Sequence, residues 1–115
     1  MELKNALSCL AALAQEKRLE IYRLLVEAGP TGLAVGEIGA SVKTAPATLS
    51  FHLKELAHAG LVATRQQGRY IFCSANYVQM QALLAYLTQN CCARDTPACD
   101  PDCGVPSTKT QRSLA

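Results

Sequence analysis

The run Cys91-Cys92-Ala93-Arg94-Asp95-Thr96-Pro97-Ala98-Cys99-Asp100-Pro101-Asp102-Cys103 puts four cysteines into thirteen residues. Thiolates are soft ligands that select thiophilic ions over hard, oxygen-loving ones. Trivalent arsenic or antimony takes three thiolates and keeps a lone pair, which makes a trigonal pyramid. Zinc takes four ligands in a tetrahedron, commonly with short gaps between paired cysteines. Adjacent cysteines are cramped as two corners of a tetrahedron, and a downstream loop can deliver a third sulfur, so the spacing favours the pyramid. Cys99 and Cys103 lie at zinc spacing, which keeps a four-cysteine zinc site as the alternative. Either downstream cysteine can reach the pair, because even seven extended residues span about 23–25 Å. Closing the loop to Cys103 rather than Cys99 costs only about 0.4 kcal/mol more in chain entropy, so spacing does not choose between them. A thiol redox switch is a further reading. It is disfavoured where Cys91 and Cys92 follow a helix C-terminus, whose dipole opposes the thiolate.

The remaining cysteines read differently. Cys9 and Cys73 fall on the apolar faces of a helix and a strand and are expected to be packed core thiols.

A second group of residues has the chemistry of nucleic-acid contact. Thr48, Ser50, His52 and Lys54 offer short polar or basic side chains on the exposed side of an expected helix, with Ala47 beside them, and Lys43 precedes them. Arg65, Gln67 and Arg69 follow at the tip of a hairpin and suit phosphate or minor-groove contacts. Residues 43–76 carry Lys43, Lys54, Arg65 and Arg69 against Glu55 alone, a balance of +3 within a chain whose net charge is +2. Residues 1–42 balance at −1 and residues 77–115 at zero. The basic excess lies in the middle third, where a polyanion can dock. His58 reads as a surface or capping residue, and Lys109 and Arg112 as charges of the tail.

The elements that must position these groups follow from periodicity. Leu3, Ala6, Leu7 and Leu10 form the stripe of an amphipathic helix over 3–14. Leu19, Ile21, Leu24, Leu25 and Ala28 form a second, stopped by Gly29-Pro30. A short segment from Val35 to Ala40 and a polar turn, Ser41-Val42-Lys43-Thr44, lead to a third start. Thr44 is the expected N-cap there, with Pro46 in the first turn. Leu49, Leu53, Leu56 and Ala57 give that helix its apolar face up to Gly60, leaving Ala45, Ala47, Thr48, Ser50, His52 and Lys54 exposed. Residues 61–65 and 69–73 read as strands joined by Gln66-Gln67-Gly68. Residues 77–90 are helical and apolar almost all round, which suits a helix packed into a partner. Beyond Asn90 there is no hydrophobic period, and a flexible tail is expected over 91–115.

The chain has 115 residues, half of them hydrophobic and 17% charged. This is the composition of one folded domain. No stretch approaches a membrane span of about 18 apolar residues, and residues 1–5 lack a signal-peptide pattern. A cytoplasmic, reducing location without membrane attachment is the expectation, and cysteines there are more often ligands than disulfides. No Gly-rich phosphate loop, nucleophile elbow or recognisable carboxylate pair points to an enzyme.

The order helix, helix, short helix, turn, helix, hairpin, helix is that of a winged helix-turn-helix, mainly α with a small β-hairpin. Lys17-Arg18-Leu19-Glu20-Ile21-Tyr22-Arg23-Leu24-Leu25, then Leu49-Ser50-Phe51-His52-Leu53-Lys54-Glu55-Leu56, then Ala59-Gly60-Leu61-Val62 and Gly68-Arg69-Tyr70 resemble the ArsR family of metal-responsive winged-helix repressors over roughly residues 5–90. The resemblance implies a homodimer joined through the first and last helices, which binds double-stranded operator DNA and is released by an inducer. It also implies arsenite, As(III), with antimonite as the variant, held by Cys91, Cys92 and Cys99, since arsenic-responsive relatives place a vicinal pair at the end of the last helix and one cysteine a few residues on. Another version of the family senses through cysteines in the helix before the recognition helix, and Leu33–Ile38 has none. The zinc-sensing His/Asp set of the last helix is absent too, with Gln79, Gln81 and Gln89 there instead.

Overall fold

A computed structural model describes residues 1–94. Five helices and a small sheet follow one another as α1 (Leu3–Leu13), α2 (Glu16–Ala28), β1 (Leu33–Ala34), α3 (Val35–Val42), α4 (Pro46–His58), β2 (Val62–Gln67), β3 (Tyr70–Ala75) and α5 (Tyr77–Thr88). The sheet is antiparallel in the order β1-β3-β2. The architecture is the expected winged helix-turn-helix, with α3 and α4 as the two helices and β2–β3 as the wing.

One core joins all the elements. Ala6, Cys9 and Ala12 of α1 meet Ile21, Tyr22 and Leu25 of α2, Ile38 and Val42 of α3, and Leu49, Leu53 and Leu56 of α4. Ala59, Leu61, Val62, Cys73, Ala75 and Leu83 complete it. Cys9 and Cys73 are buried as expected, and burial pushes the Cys73 thiol pKa up. Helix α1 turns its small residues inward, so the leucines of its stripe divide from Ala6. Leu3, Leu7 and Leu10 face outward instead of into the protomer's own core.

Local chemistry sets the boundaries. Gly29, at φ +89°, ends α2 and donates its N–H to the Leu25 carbonyl. The start of α4 differs from expectation. Ala45, not Thr44, is the N-cap, because a residue before proline is driven out of the α region and Ala45 is extended at ψ 150°. Thr44 Oγ1 donates instead to the Val42 carbonyl. Helix α4 ends in a Schellman motif. The Leu61 N–H reaches the Leu56 carbonyl, the Gly60 N–H reaches that of Ala57, and Gly60 stands at φ +82°. Leu56 and Leu61 are both fully buried, which supplies the hydrophobic contact of that motif.

The sheet also departs from the sequence reading. Strand β1 was not visible as a period, since two residues are too few to alternate. It pairs Leu33 with Cys73 and Ala34 with Phe72. The wing strands run longer than expected and shrink the loop to Gly68-Arg69, with Gly68 at φ +64°. That is the glycine-first, two-residue hairpin whose twist matches its strands. Only Val62 of β2 is buried, so the wing is anchored at its base and solvent-exposed towards its tip.

Candidate nucleic-acid interface and cysteine pair

Helix α4 sorts its residues by spacing. Leu49, His52, Leu53 and Leu56 fall at i, i+3, i+4 and i+7 and are all buried. Lys43, Ala47, Thr48, Ser50 and Lys54 are exposed, and of these Lys54 supplies the charge on the helix itself. His52 was expected among the exposed residues. At 7% exposure it belongs to the core face, and this corrects its assignment as a DNA contact. The period of Leu49 and Leu56 carried that information, because His52 lies three residues after one and four before the other. Ala57, expected on the apolar face, is exposed. Position 51 was the residue that sequence reasoning passed over. Phe51 is 54% exposed on the same helix.

Arg18 explains how His52 is accommodated. Its Nε donates to the Ala12 carbonyl at 2.9 Å, and its Nη1 lies 3.5 Å from His52 Nδ1. The guanidinium carbon stands 5.9 Å from the centre of the Phe51 ring, which meets the His52 ring at 5.7 Å. Its own backbone N–H is capped by Gln15 Oε1. One side chain thus connects the end of α1, the start of α2 and the middle of α4. Burial first, then the charges of Arg18 and Lys17, hold the His52 imidazole below its usual pKa, so it is neutral at neutral pH.

The wing residues separate as well. Arg65 pairs with Phe72 in mid-strand rather than lying at the hairpin tip. Its Nη1 donates to the Thr31 carbonyl at 3.1 Å, and its guanidinium stacks 4.9 Å from the Phe72 ring centre. That places Arg65 as a brace between wing and body. Arg69 is exposed within the turn, and Gln67 is exposed just before it.

At the other end of the chain, α5 stops at Thr88 and the backbone turns. The Cys91 N–H reaches the Thr88 carbonyl and the Ala93 N–H reaches that of Asn90, while Asn90 and Cys92 adopt left-handed φ values of 60° and 61°. The cysteine pair therefore sits in the turn after α5, with its sulfurs 3.4 Å apart. Cys99 and Cys103 lie outside the described residues. Among the described residues no group of three or more His, Cys, Asp or Glu is placed to hold a metal.

Helix α5 is tied to the end of α4 through Gln79. Its Nε2 donates to the Ala59 carbonyl at 3.0 Å and lies 3.4 Å from Cys9 Sγ. Its outward side shows Val78, Leu84 and Leu87, which with Leu3, Leu7 and Leu10 of α1 are large apolar side chains left exposed in the single protomer. Among the described residues no helix is long and apolar enough to cross a membrane.

Residues 13–65 match a helix-turn-helix domain family. The chain is 31% identical over 88 residues to the transcriptional activator HlyU of Vibrio cholerae, covering 76% of this chain and 79% of that protein. The HlyU structure superposes with a TM-score of 0.62, covering 80% and 99% of the two chains. An ArsR-like transcriptional regulator from Rhodococcus sp. RHA1 gives 0.65 at 25% identity over 73% and 76%. The homodimeric winged helix-turn-helix domain of Mb0332 from Mycobacterium bovis gives 0.63 at 24% identity over 74% and 77%, a likeness of fold. The groove-sized helix, the basic wing and these relatives agree, and the chain belongs to the ArsR family of winged helix-turn-helix transcriptional regulators.

Proposed function

We propose that this regulator is a repressor that binds operator DNA as a homodimer and releases it when trivalent arsenic, or antimony, is bound by C-terminal thiolates. The observation that carries the reading is the Cys91–Cys92 pair. For a sulfur–ion bond of about 2.3 Å, as zinc shows with thiolate, sulfurs 3.4 Å apart subtend an angle of about 95° by triangle geometry. That suits a lone-pair-bearing pyramid better than the wider tetrahedral angle. Cys91 and Cys92 would hold two positions and Cys99 the third. Each thiol would give its proton to a departing hydroxide of arsenous acid, As(OH)3, so the As–S bonds would form as water leaves.

The dimer reading is supported by the exposed apolar residues of α1 and α5, since a monomer rarely leaves such a set uncovered. Mb0332, with this fold, is homodimeric. Two recognition helices related by a twofold axis would read a palindromic site. A contiguous set of contacts supports coupling. Helix α5 packs on α1, Arg18 holds the Ala12 carbonyl in the last turn of α1, and Arg18 meets His52 and Phe51 on α4. Arsenic can weaken DNA binding only by preferring a dimer geometry that the operator does not. HlyU bears the name of an activator, so release rather than recruitment is part of what is proposed.

The test replaces Cys91 or Cys92 with Ser and titrates the operator complex with arsenite, antimonite, cadmium and zinc. Each variant should keep wild-type DNA affinity and lose arsenite-driven release by at least about tenfold in inducer concentration, roughly the effect of losing a supporting group at a metal site. Release that survives in both variants removes the pair from the site. Zinc retained through native mass spectrometry would replace the arsenic reading with a structural zinc site. Release by peroxide, reversed by a reductant, would replace it with a redox switch.

A further inference from the structure

An exposed phenyl ring on the DNA-facing helix has a use that polar contacts do not cover. Phe51 follows Ala47 by four residues, so the two lie one turn apart on one face of α4, and both are exposed. Ser50 and Lys54 flank the ring along the helix and are exposed too. The ring does not belong to the core, whose stripe on this helix is Leu49, His52, Leu53 and Leu56. It is nevertheless held in place, with the Arg18 guanidinium 5.9 Å from its centre and the His52 ring at 5.7 Å. Arg18 is itself fixed by the Ala12 carbonyl. A contact group ordered before binding loses less entropy on binding.

The major groove presents one apolar group among its donors and acceptors, the 5-methyl of thymine, and Phe and Ala are side chains that meet it. We propose that Phe51, with Ala47 beside it, contacts a thymine 5-methyl group in the major groove and so determines part of the operator sequence. The proposal rests on α4 being the groove-reading helix. The surrounding charge favours DNA as the occupant of this face: Lys43 and Lys54 are exposed next to it, and Arg69 is exposed on the wing.

The experiment selects duplexes from a random library with the full-length protein, then replaces each thymine of the enriched site by deoxyuridine, which removes only the methyl group. Binding is measured by fluorescence anisotropy for wild type, Phe51→Ala and Phe51→Leu. At one thymine per half-site the wild type should lose about fourfold in affinity, the transfer value of one methyl-sized group. Phe51→Ala, with only Ala47 left to meet the methyl group, should lose most of the discrimination while keeping its salt dependence, and Phe51→Leu should retain more of it. Phe51 is surface-exposed, and an unchanged circular dichroism spectrum and Tm will show that the variants fold. Equal deoxyuridine losses in wild type and Phe51→Ala at every thymine overturn the assignment and leave the groove-reading role of α4 standing. A uniform loss on all duplexes, nonspecific ones included, overturns it in favour of a positioning role. Enrichment of no duplex overturns the groove-reading role itself, and the proposal with it.

Discussion

His52 shows how a single buried polar residue ties folding to protonation. Its imidazole lies between the core stripe of α4 and the Arg18 guanidinium, so a proton added there meets both poor solvation and like charge. The folded-state pKa is lowered, which means that the unfolded chain binds the proton more readily. His52 therefore contributes its full stability above the unfolded value, about 6.5, and loses it as the pH falls through that value towards the folded one. Chemical denaturation from about pH 7.5 to about pH 5.5 should show a decline attributable to one proton, at most about 1.4 kcal/mol per pH unit. His52→Gln, which keeps a polar partner for Arg18 but does not titrate, should flatten that part of the curve. An unchanged slope in the variant would assign the acid sensitivity elsewhere. The buried Tyr22 hydroxyl, by contrast, finds no hydrogen-bond partner among the described residues, and burial raises its pKa away from the neutral range.

At the scale of elements, the wing depends on a close approach that only glycine allows. Gly32 has φ +76°, and a Cβ there would lie 2.2 Å from the Cys73 carbonyl oxygen, a backbone atom that cannot rotate aside. Gly32→Ala should cost about 2–4 kcal/mol, from left-handed strain together with overpacking, and should separate β1 from β3. Thermal unfolding measures the cost, and amide exchange at Leu33, Ala34 and Cys73 locates it. At the opposite end of the same hairpin, Arg69 stands in the exposed turn. Arg69→Ala should weaken binding to all duplexes and lower the slope of log K against log salt by about 1. A slope equal to wild type would show that Arg69 makes no phosphate contact. Arg65, braced by the Thr31 carbonyl and the Phe72 ring, serves the geometry of the wing first.

At the scale of the whole molecule, the first and last helices of the described chain each leave large apolar side chains exposed. Leu7 is 57% exposed on α1 and Leu87 is 53% exposed on α5. Small residues on α1 and a single buried leucine on α5 pack these helices onto the rest of the chain, while the exposed leucines form the surface proposed above for a second copy. Leu87→Lys should leave the protomer folded and weaken self-association by about 30-fold or more, the effect of a central interface residue. Sedimentation equilibrium reads the association and circular dichroism the fold. Operator affinity should fall with it, since a single recognition helix makes few base contacts. A Leu87→Lys variant as dimeric as wild type would place the dimer surface elsewhere.

Much of this was determined by the sequence alone, because the information is local. Helix periods, the Gly29-Pro30 stop, Pro46 in a first turn and a glycine-bearing hairpin all act within a few residues, and their order specifies a winged helix-turn-helix. The adjacency of Cys91 and Cys92 is covalent and needs no fold to create it. Tertiary structure decided the rest. Strand β1 exists because β3 offers it hydrogen-bonding partners and Gly32 lets the backbones approach. Residue type suggested that His52 faces the DNA, but Arg18, thirty-four residues away, makes a buried imidazole tolerable and leaves Phe51 outside in its place. Whether a leucine on α1 is buried in the core or left exposed also depended on what packs behind it. The cysteine pair that opened the sequence reading is likewise only half local. The order Cys91-Cys92 makes it a pair, and the turn after α5 sets its sulfurs 3.4 Å apart.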